Sequence, residues 1–294
     1  MGITTHLFRC FLKEHKFRPL GGNGLLCGRQ SVFFSVELMR VIARFESCPL
    51  RDITIRPDTI TRNPGEILDY DLFASFCDLE MQAVDVTSYE QAEIVHDMNT
   101  PVPSHLERRF DFIFNGSCMD NSFNPAMFIT NTSRMLRPFG RVVHIEHGSN
   151  WPGAYLSYSP DWFLDYYALN NWDDCQVFVA EFPGHTPNHH VYVNWTLYRW
   201  NPLITLPAGN GTNCSSHASS AHRLLVVVAE KGLDSTDNDF PVQGQYRPEE
   251  HDARYAFAYR RFMSSKRADL YRDGSANFNL VSPAISNLEY VGRL

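Results

Sequence analysis

Four side chains able to bind hydroxyls or move protons stand where short apolar runs stop. Asp85 closes MQAVD, Asp97 follows AEIVH, Asp120 lies just past FDFIFNGS, and His147 lies just past RVVHIE. A carboxylate accepts hydrogen bonds from both hydroxyls of a diol at once. Histidine titrates near neutral pH, the range in which a general base works. Plainer readings stand beside these. An aspartate at a strand end caps turns, and a loop histidine bonds to a backbone group.

The elements that must position these residues are clearest between Phe110 and Asn150. Phe110 to Phe114 is an apolar run suited to a buried strand. Asn115, Gly116 and Ser117 end it with turn chemistry. From Pro125 to Leu136, Met127, Phe128, Asn131, Met135 and Leu136 recur at helical spacing, and Pro138 and Gly140 stop that helix. Arg141 to Glu146 is again a strand. Strand, helix and strand in about forty residues make a βαβ unit, which implies a parallel sheet.

The rest of the chain supports the same architecture. Thr5 to Phe17 predicts a helix facing inward with Leu7, Phe8, Phe11 and Leu12, capped by Thr4 or Thr5. PLGGNG at 19–24 reads as a loop, and Leu25 to Cys27 as a very short strand. Ser35 caps a second helix whose apolar face is Leu38, Met39, Ile42 and Phe45. Residues 46–66 read as a long loop and Leu68 to Phe76 as a helix. Strands are expected at Met81–Val86, Ala92–His96, Gln176–Glu181, Val191–Trp200 and Leu224–Ala229. Ser159 and Pro160 start a helix. The stretch 201–222 is polar and rich in Gly, Asn and Ser. Glu249 to Tyr271 reads as a basic helix with Tyr255, Tyr259, Phe262 and Met263 on one side.

Composition narrows the function classes. A net charge of −7 argues against a general nucleic-acid binder, because phosphate contacts need excess Lys and Arg. Seven scattered cysteines without a CxxC pair suit reduced thiols. No apolar run has signal-peptide or membrane-spanning length. A cytoplasmic protein with no membrane partner is the expectation, with a homo-oligomer left open.

VDVTSYEQAEIVHDMNTPVP, FDFIFNGSCMDNSFN and MLRPFGRVVHIEH occur in that order. Together they resemble the class I S-adenosylmethionine-dependent methyltransferases over roughly residues 5–182 and the strand near 224–229. The resemblance implies an α/β fold: a doubly wound, mostly parallel seven-stranded sheet with an antiparallel edge strand and helices on both faces. Ligands in such sheets sit beyond the carboxyl ends of the strands. The resemblance gives the turn Gly28, Arg29, Gln30 and Ser31 to the amino-acid part of S-adenosylmethionine. It gives Asp85 to the ribose, Asp97 and Met98 to the adenine, and Asn115 and Gly116 to the floor near the sulfonium. The first turn departs from the family. Leu26 stands at the acidic place, and Gln30 and Val32 stand where further glycines are common; separately, at the entry to the fifth strand, Phe139 replaces one glycine.

Methyl transfer is an in-line displacement in which alignment dominates, and a hydroxyl acceptor of high pKa also needs a base. His147 and Asp120 are the catalytic candidates. Trp151, Tyr155 and Tyr158 are candidates for a substrate wall, though the aromatic residues there serve equally as core contacts of a helix on the sheet. The sets His185, His189, His190 and His144, Glu146, His147 lack recognised metal-ligand spacing, so no metal is expected.

The domain expectation is a methyltransferase-like unit over 1–232 and a partly helical C-terminal extension over 233–294. The function expected is methyl transfer from S-adenosylmethionine to a small-molecule or saccharide hydroxyl. The alternative is a catalytically inactive relative kept as a binding or scaffolding protein.

Overall fold

Four glycine-rich residues begin the central strand. GGNGLLC pairs in parallel with its neighbours from Gly21 to Cys27, so β1 (Gly21–Cys27) starts four residues earlier than the apolar run predicts. The missing side chains make room for neighbours: a Cβ on Gly24 would overlap Met81, and one on Gly22 would overlap Asp111. That Asp111 carboxylate instead accepts the Asn23 N–H at 2.7 Å.

The structure is a computed structural model that describes residues 2–182, 194–204, 221–272 and 287–294. The expected cluster His185, His189 and His190, and most of the polar stretch 201–222, lie outside the described residues. The helices are α1 (Thr5–Phe17), α2 (Val36–Phe45), α3 (Asp69–Ala74), α4 (Pro125–Met135), α5 (Pro160–Leu169) and α6 (Glu249–Ser264). The remaining strands are β2 (Asp78–Asp85), β3 (Ile94–Val95), β4 (Phe110–Gly116), β5 (Leu136–His147), β6 (Asp174–Phe182), β7 (Thr196–Trp200), β8 (His222–Glu230) and β9 (Leu288–Arg293).

One sheet runs β3-β2-β1-β4-β5-β8-β6-β7-β9. The pairs from β3 to β5 are parallel, the doubly wound pattern. The seven-strand expectation is corrected to nine strands among the described residues. The antiparallel strand is not at the edge either: β8 lies inside the sheet, antiparallel to both β5 and β6. The edge is built by β7 and β9, both antiparallel additions. Antiparallel strands need no crossover helix, so a short return and the last residues of the chain suffice to extend the sheet. Residues beyond 232 therefore join the same sheet through β9, and α6 packs on α5 and β6.

Alternation sorts the strand residues between two apolar layers. Phe112, Phe114, Val143 and Ile145 face the layer of α1, α2 and α3. Ile113, Val142, Leu225 and Val227 face the layer of α4, α5 and α6. Thr4 caps α1, and Ser35 caps α2 by accepting the Leu38 N–H. The buried stripe of α2 is Met39, Ile42 and Ala43. Leu38 and Phe45, expected on that face, are exposed. The segment Glu249–Tyr271 is not one α-helix: it ends at Ser264, and Lys266–Tyr271 is a 3-10 turn.

At the end of the sheet away from the parallel strands' carboxyl ends, a buried ionic net ties the chain's extremes together. Glu14 of α1 meets Arg141 of β5 at 3.0 Å and also pairs with Arg267. Arg267 reaches Asp174 at 2.9 Å and Glu230 at 2.7 Å, and the Tyr271 hydroxyl donates to Glu14 at 3.0 Å.

Candidate functional site

The turn after β1 opens the site. Gly28 has φ +70°, the left-handed region that glycine enters without steric cost. A Cβ there would sit 3.4 Å from Cys118 Sγ and 3.7 Å from Asp85 Oδ2, inside the space that these residues face. Asp85, the last residue of β2, uses Oδ1 to accept its neighbour Val86 N–H at 2.6 Å. Its Oδ2 has no hydrogen-bond partner among the described residues and faces the turn.

Asp97 follows β3 and is held by the next residue but one. Its Oδ1 accepts the Asn99 backbone N–H at 2.9 Å and the Asn99 Nδ2 at 2.8 Å, bonds that hold its carboxyl below the usual range. Asn99 Oδ1 in turn accepts from Ser122 Oγ at 2.7 Å and the Asn124 N–H at 2.9 Å. Asn131, buried on α4, accepts the Val102 N–H at 2.9 Å and donates to Met98 O and Thr100 O at 3.1 and 2.7 Å. These bonds fix an otherwise irregular loop as the wall of a cavity of ≈ 270 Å³, lined by Cys27, Gly28, Asp85, Asp97, Met98 and Cys118 among others.

A second cavity of ≈ 240 Å³ lies beside it, lined by Ser117, His147, Trp151, Phe182 and Leu224, with Asn121 shared by both. His147 Nδ1 pairs with Asp120 Oδ2. Ser117 Oγ donates to the same carboxylate oxygen at 2.6 Å. Nε2 is then the ring nitrogen left for the cavity, and it has no hydrogen-bond partner among the described residues. Trp151 stacks on the imidazole at 5.0 Å between ring centroids.

Behind this pair is a buried polar layer. Glu146 Oε2 accepts the Asp120 N–H at 3.1 Å, and Asn115 Nδ2 donates to Glu146 Oε1. Burial first, then the Asp120 charge, holds the Glu146 carboxyl well above the usual range. Burial also pushes His144 down to about 3. His144 lies between Asn115 Nδ2 at 3.0 Å and the Tyr167 hydroxyl at 2.7 Å.

The structure thus brings Gly28, Asp85, Asp97 and Met98 to one cavity and His147 and Trp151 to the next. It places the other expected residues elsewhere. Arg29 is buried in a bidentate pair with Asp69 and stacks on Tyr70 at 3.9 Å, so its guanidinium is committed to the fold. Gln30 is buried and lines neither cavity. Asn115 is consumed by His144, Glu146 and the Cys118 N–H. Gly116 lies under Gln30, whose Oε1 a Cβ would overlap. Asp120 is fully buried and meets the cavity through His147 and Ser117, both of which line it. Tyr155 is exposed and packs edge-on against Phe123 at 6.3 Å. Tyr158 is buried, its hydroxyl donating to Met119 O at 3.1 Å.

Sequence reasoning missed Asn99, Ser117, Asn121, Asn131 and Glu146 as parts of the site. Asn131 had left a signal, a polar residue at an apolar period position of its helix. Among the described residues no group of three or more His, Cys, Asp or Glu is placed to hold a metal ion, and no helix is long and apolar enough to cross a membrane.

No family model and no curated protein matches the chain. Solved structures do. The methyltransferase domain of a citrinin polyketide synthase is 11% identical at TM-score 0.37, covering 76% of this chain and 51% of its own. Phosphoethanolamine N-methyltransferase 2 of Haemonchus contortus, with S-adenosylhomocysteine, is 12% identical at TM-score 0.38, covering 76% and 52%. An O-methyltransferase from a polyketide synthase multienzyme of Brevibacillus brevis, also with S-adenosylhomocysteine, is 12% identical at TM-score 0.41, covering 88% and 77%. The chain spans about half the length of the first two. Overlaps of this size assign no residue and no activity. By its own strand order the chain is a doubly wound α/β fold with a parallel half, β3 to β5, extended by antiparallel strands at one edge.

Proposed function

We propose that this chain is an S-adenosylmethionine-dependent methyltransferase acting on a hydroxyl of a small molecule, with His147 as general base. One observation carries the reading: two cavities meet at Asn121, one bearing an unpartnered Asp85 oxygen and the other His147 backed by Asp120.

The residues fit the nucleoside end of the cofactor. Asp85 Oδ2 is a free acceptor facing a concavity that a Cβ on Gly28 would invade. Asp85 would hold the ribose hydroxyls, and Asp97 with Met98 would flank the base. When bound, S-adenosylmethionine would supply a sulfonium methyl carbon for an in-line oxygen nucleophile, the carbon–sulfur bond breaking with its electron pair kept on sulfur as S-adenosylhomocysteine. The chain's own part is alignment and proton removal. Asp120 fixes the imidazole with Nδ1 inward, so Nε2 takes the acceptor's proton. Ser117 and the Asp120 N–H to Glu146 hold that carboxylate in place. Trp151, Phe182 and Leu224 line the acceptor cavity with apolar surface. A saccharide or a flat phenol with one hydroxyl at His147 suits these walls.

Incubating the chain with S-adenosylmethionine and a hydroxyl-compound library, read by product mass, tests this. A methylated product is expected, and His147→Ala should lower its rate by about 10²- to 10⁴-fold while leaving cofactor affinity unchanged. A variant of undiminished rate removes His147 from the chemistry. A second reading, a silent binding or scaffolding relative, is favoured by Gln30 in the first turn. Absence of calorimetric heat and thermal shift with millimolar S-adenosylmethionine would select it.

A further inference from the structure

We propose that Glu146 is a positioning residue that acts on His147 through Asp120: its carboxyl keeps a proton and donates it in a hydrogen bond to Asp120 Oδ1, so that a carboxyl–carboxylate pair backs the imidazole. The effect on turnover rests on the reading of His147 as general base. The proton on Glu146 does not.

The observation is an unmatched oxygen. Asp120 Oδ2 meets two donors, Ser117 Oγ at 2.6 Å and His147 Nδ1. Oδ1 of the same carboxylate is buried and has no donor among the described residues. A buried acceptor left unpaired is costly, so a donor for it is the first thing to look for. Glu146 lies against Asp120: its Oε2 accepts the Asp120 backbone N–H at 3.1 Å, and the two side chains are themselves hydrogen-bond partners. Both residues are fully buried. Two carboxylates in such contact repel, and a shared proton turns the repulsion into a bond.

The surroundings put that proton on Glu146. The two donors at Oδ2 favour the charged form of Asp120. The hydrogen-bond partners of Glu146 are Asn115 and Asp120, neither of them a cation. The titratable groups around it are uncharged as well. On β5, burial pushes His144 down to about 3. On β1, burial holds the Cys27 thiol well above its ordinary value, and after β4 it pushes Cys118 up to about 12. Before α5, burial holds the Tyr158 hydroxyl up, and that hydroxyl donates to Met119 O. With the proton on Glu146, the group carries the single charge of Asp120 at rest. That charge is balanced when His147 takes the acceptor's proton on Nε2. An ionised Glu146 would leave a second buried charge with nothing to balance it.

Infrared difference spectroscopy of the full chain at neutral pH, unaltered against Glu146→Gln, reads the proton without any substrate. The unaltered chain should show the carbonyl band of a protonated carboxyl, and Glu146→Gln should remove it. Loss of an ionised carboxylate band in its place overturns the inference. Turnover with the hydroxyl compound that the library identifies gives the second reading. Glu146→Leu, which cannot donate, should lower turnover by about tenfold, as unpairing a buried acceptor does, with the acceptor KM unchanged. Glu146→Gln, whose amide can donate to Oδ1, should recover most of that loss and keep the acid limb of the pH profile in place. An acid limb moved down by about one pH unit in Glu146→Gln, the effect of removing a negative charge near the base, overturns the inference. A protonated-carboxyl band in a chain that methylates nothing overturns the base reading and leaves the pair standing. Where Glu146→Leu fails to fold, the band and the Glu146→Gln profile decide.

Discussion

Asp85 and Asp97 both end strands, yet their carboxylates do different work. Asp97 spends one oxygen on Asn99 and so shapes its own loop, while Asp85 keeps Oδ2 free beside Gly28. The difference predicts unequal losses. Asp85→Ala should weaken S-adenosylhomocysteine binding by about 1–3 kcal/mol, the worth of hydrogen bonds to a charged group, with little change in melting temperature. Unchanged affinity by calorimetry would remove Asp85 from the ribose. His144 carries a prediction of another kind. Burial lowers its folded pKa from 6.5 to about 3, so between those values the unfolded chain binds the extra proton. Stability then falls as pH drops through that window, by up to about 1.4 kcal/mol per pH unit from this residue. Urea titrations across the window should show a flatter dependence for His144→Gln. An unaltered slope would mean that His144 is protonated in the fold.

Elements position the site more than any single strand does. The loop after β3 holds only turn bonds of its own, such as Thr100 N–H to Asp97 O at 2.9 Å, and Asn131 on α4 supplies three more. Asn131→Ala leaves the Val102 N–H and two carbonyls unsatisfied. It should cost about 1–3 kcal/mol of stability and weaken nucleoside binding together with it. Hydrogen exchange at Val102 should accelerate, and protection equal to the unaltered chain would show that water replaces the side chain. Phe139 makes a parallel point at the start of β5. It stands where the family resemblance expects glycine and takes φ +65° all the same, because Lys231 O accepts its N–H at 2.7 Å and Arg18 donates to its carbonyl at 2.7 Å. The backbone geometry persists although the residue that makes it easy is gone.

For the whole molecule, the net around Glu14 decides cohesion. Glu14 and Arg267 lie 253 residues apart and are both fully buried. Removing one partner of a buried pair leaves an uncompensated charge, a loss of about 3–5 kcal/mol. Glu14→Ala should therefore lower the denaturant midpoint strongly while leaving nucleoside binding by the folded fraction intact. A loss below about 1 kcal/mol, the worth of an exposed pair, would show that the C-terminal segment is dispensable to the fold. The same net explains why residues beyond 232 act as part of the sheet and not as an appendage.

The sequence by itself determined the parallel half of this protein. Apolar runs of period two and helices of period 3.6 are local properties, so β2, β4, α1 and α4 could be located from spacing, and Asp85, Asp97 and His147 could be placed at strand ends. Only the tertiary structure decided what those ends face. That β8 enters between β5 and β6, that Asp120 serves His147, and that Arg29 and Asn115 are spent on Asp69, His144 and Glu146 depend on contacts between distant segments. Side-chain hydrogen bonding is settled by which partners folding brings within 3 Å or so, and residue spacing along the chain carries no record of that.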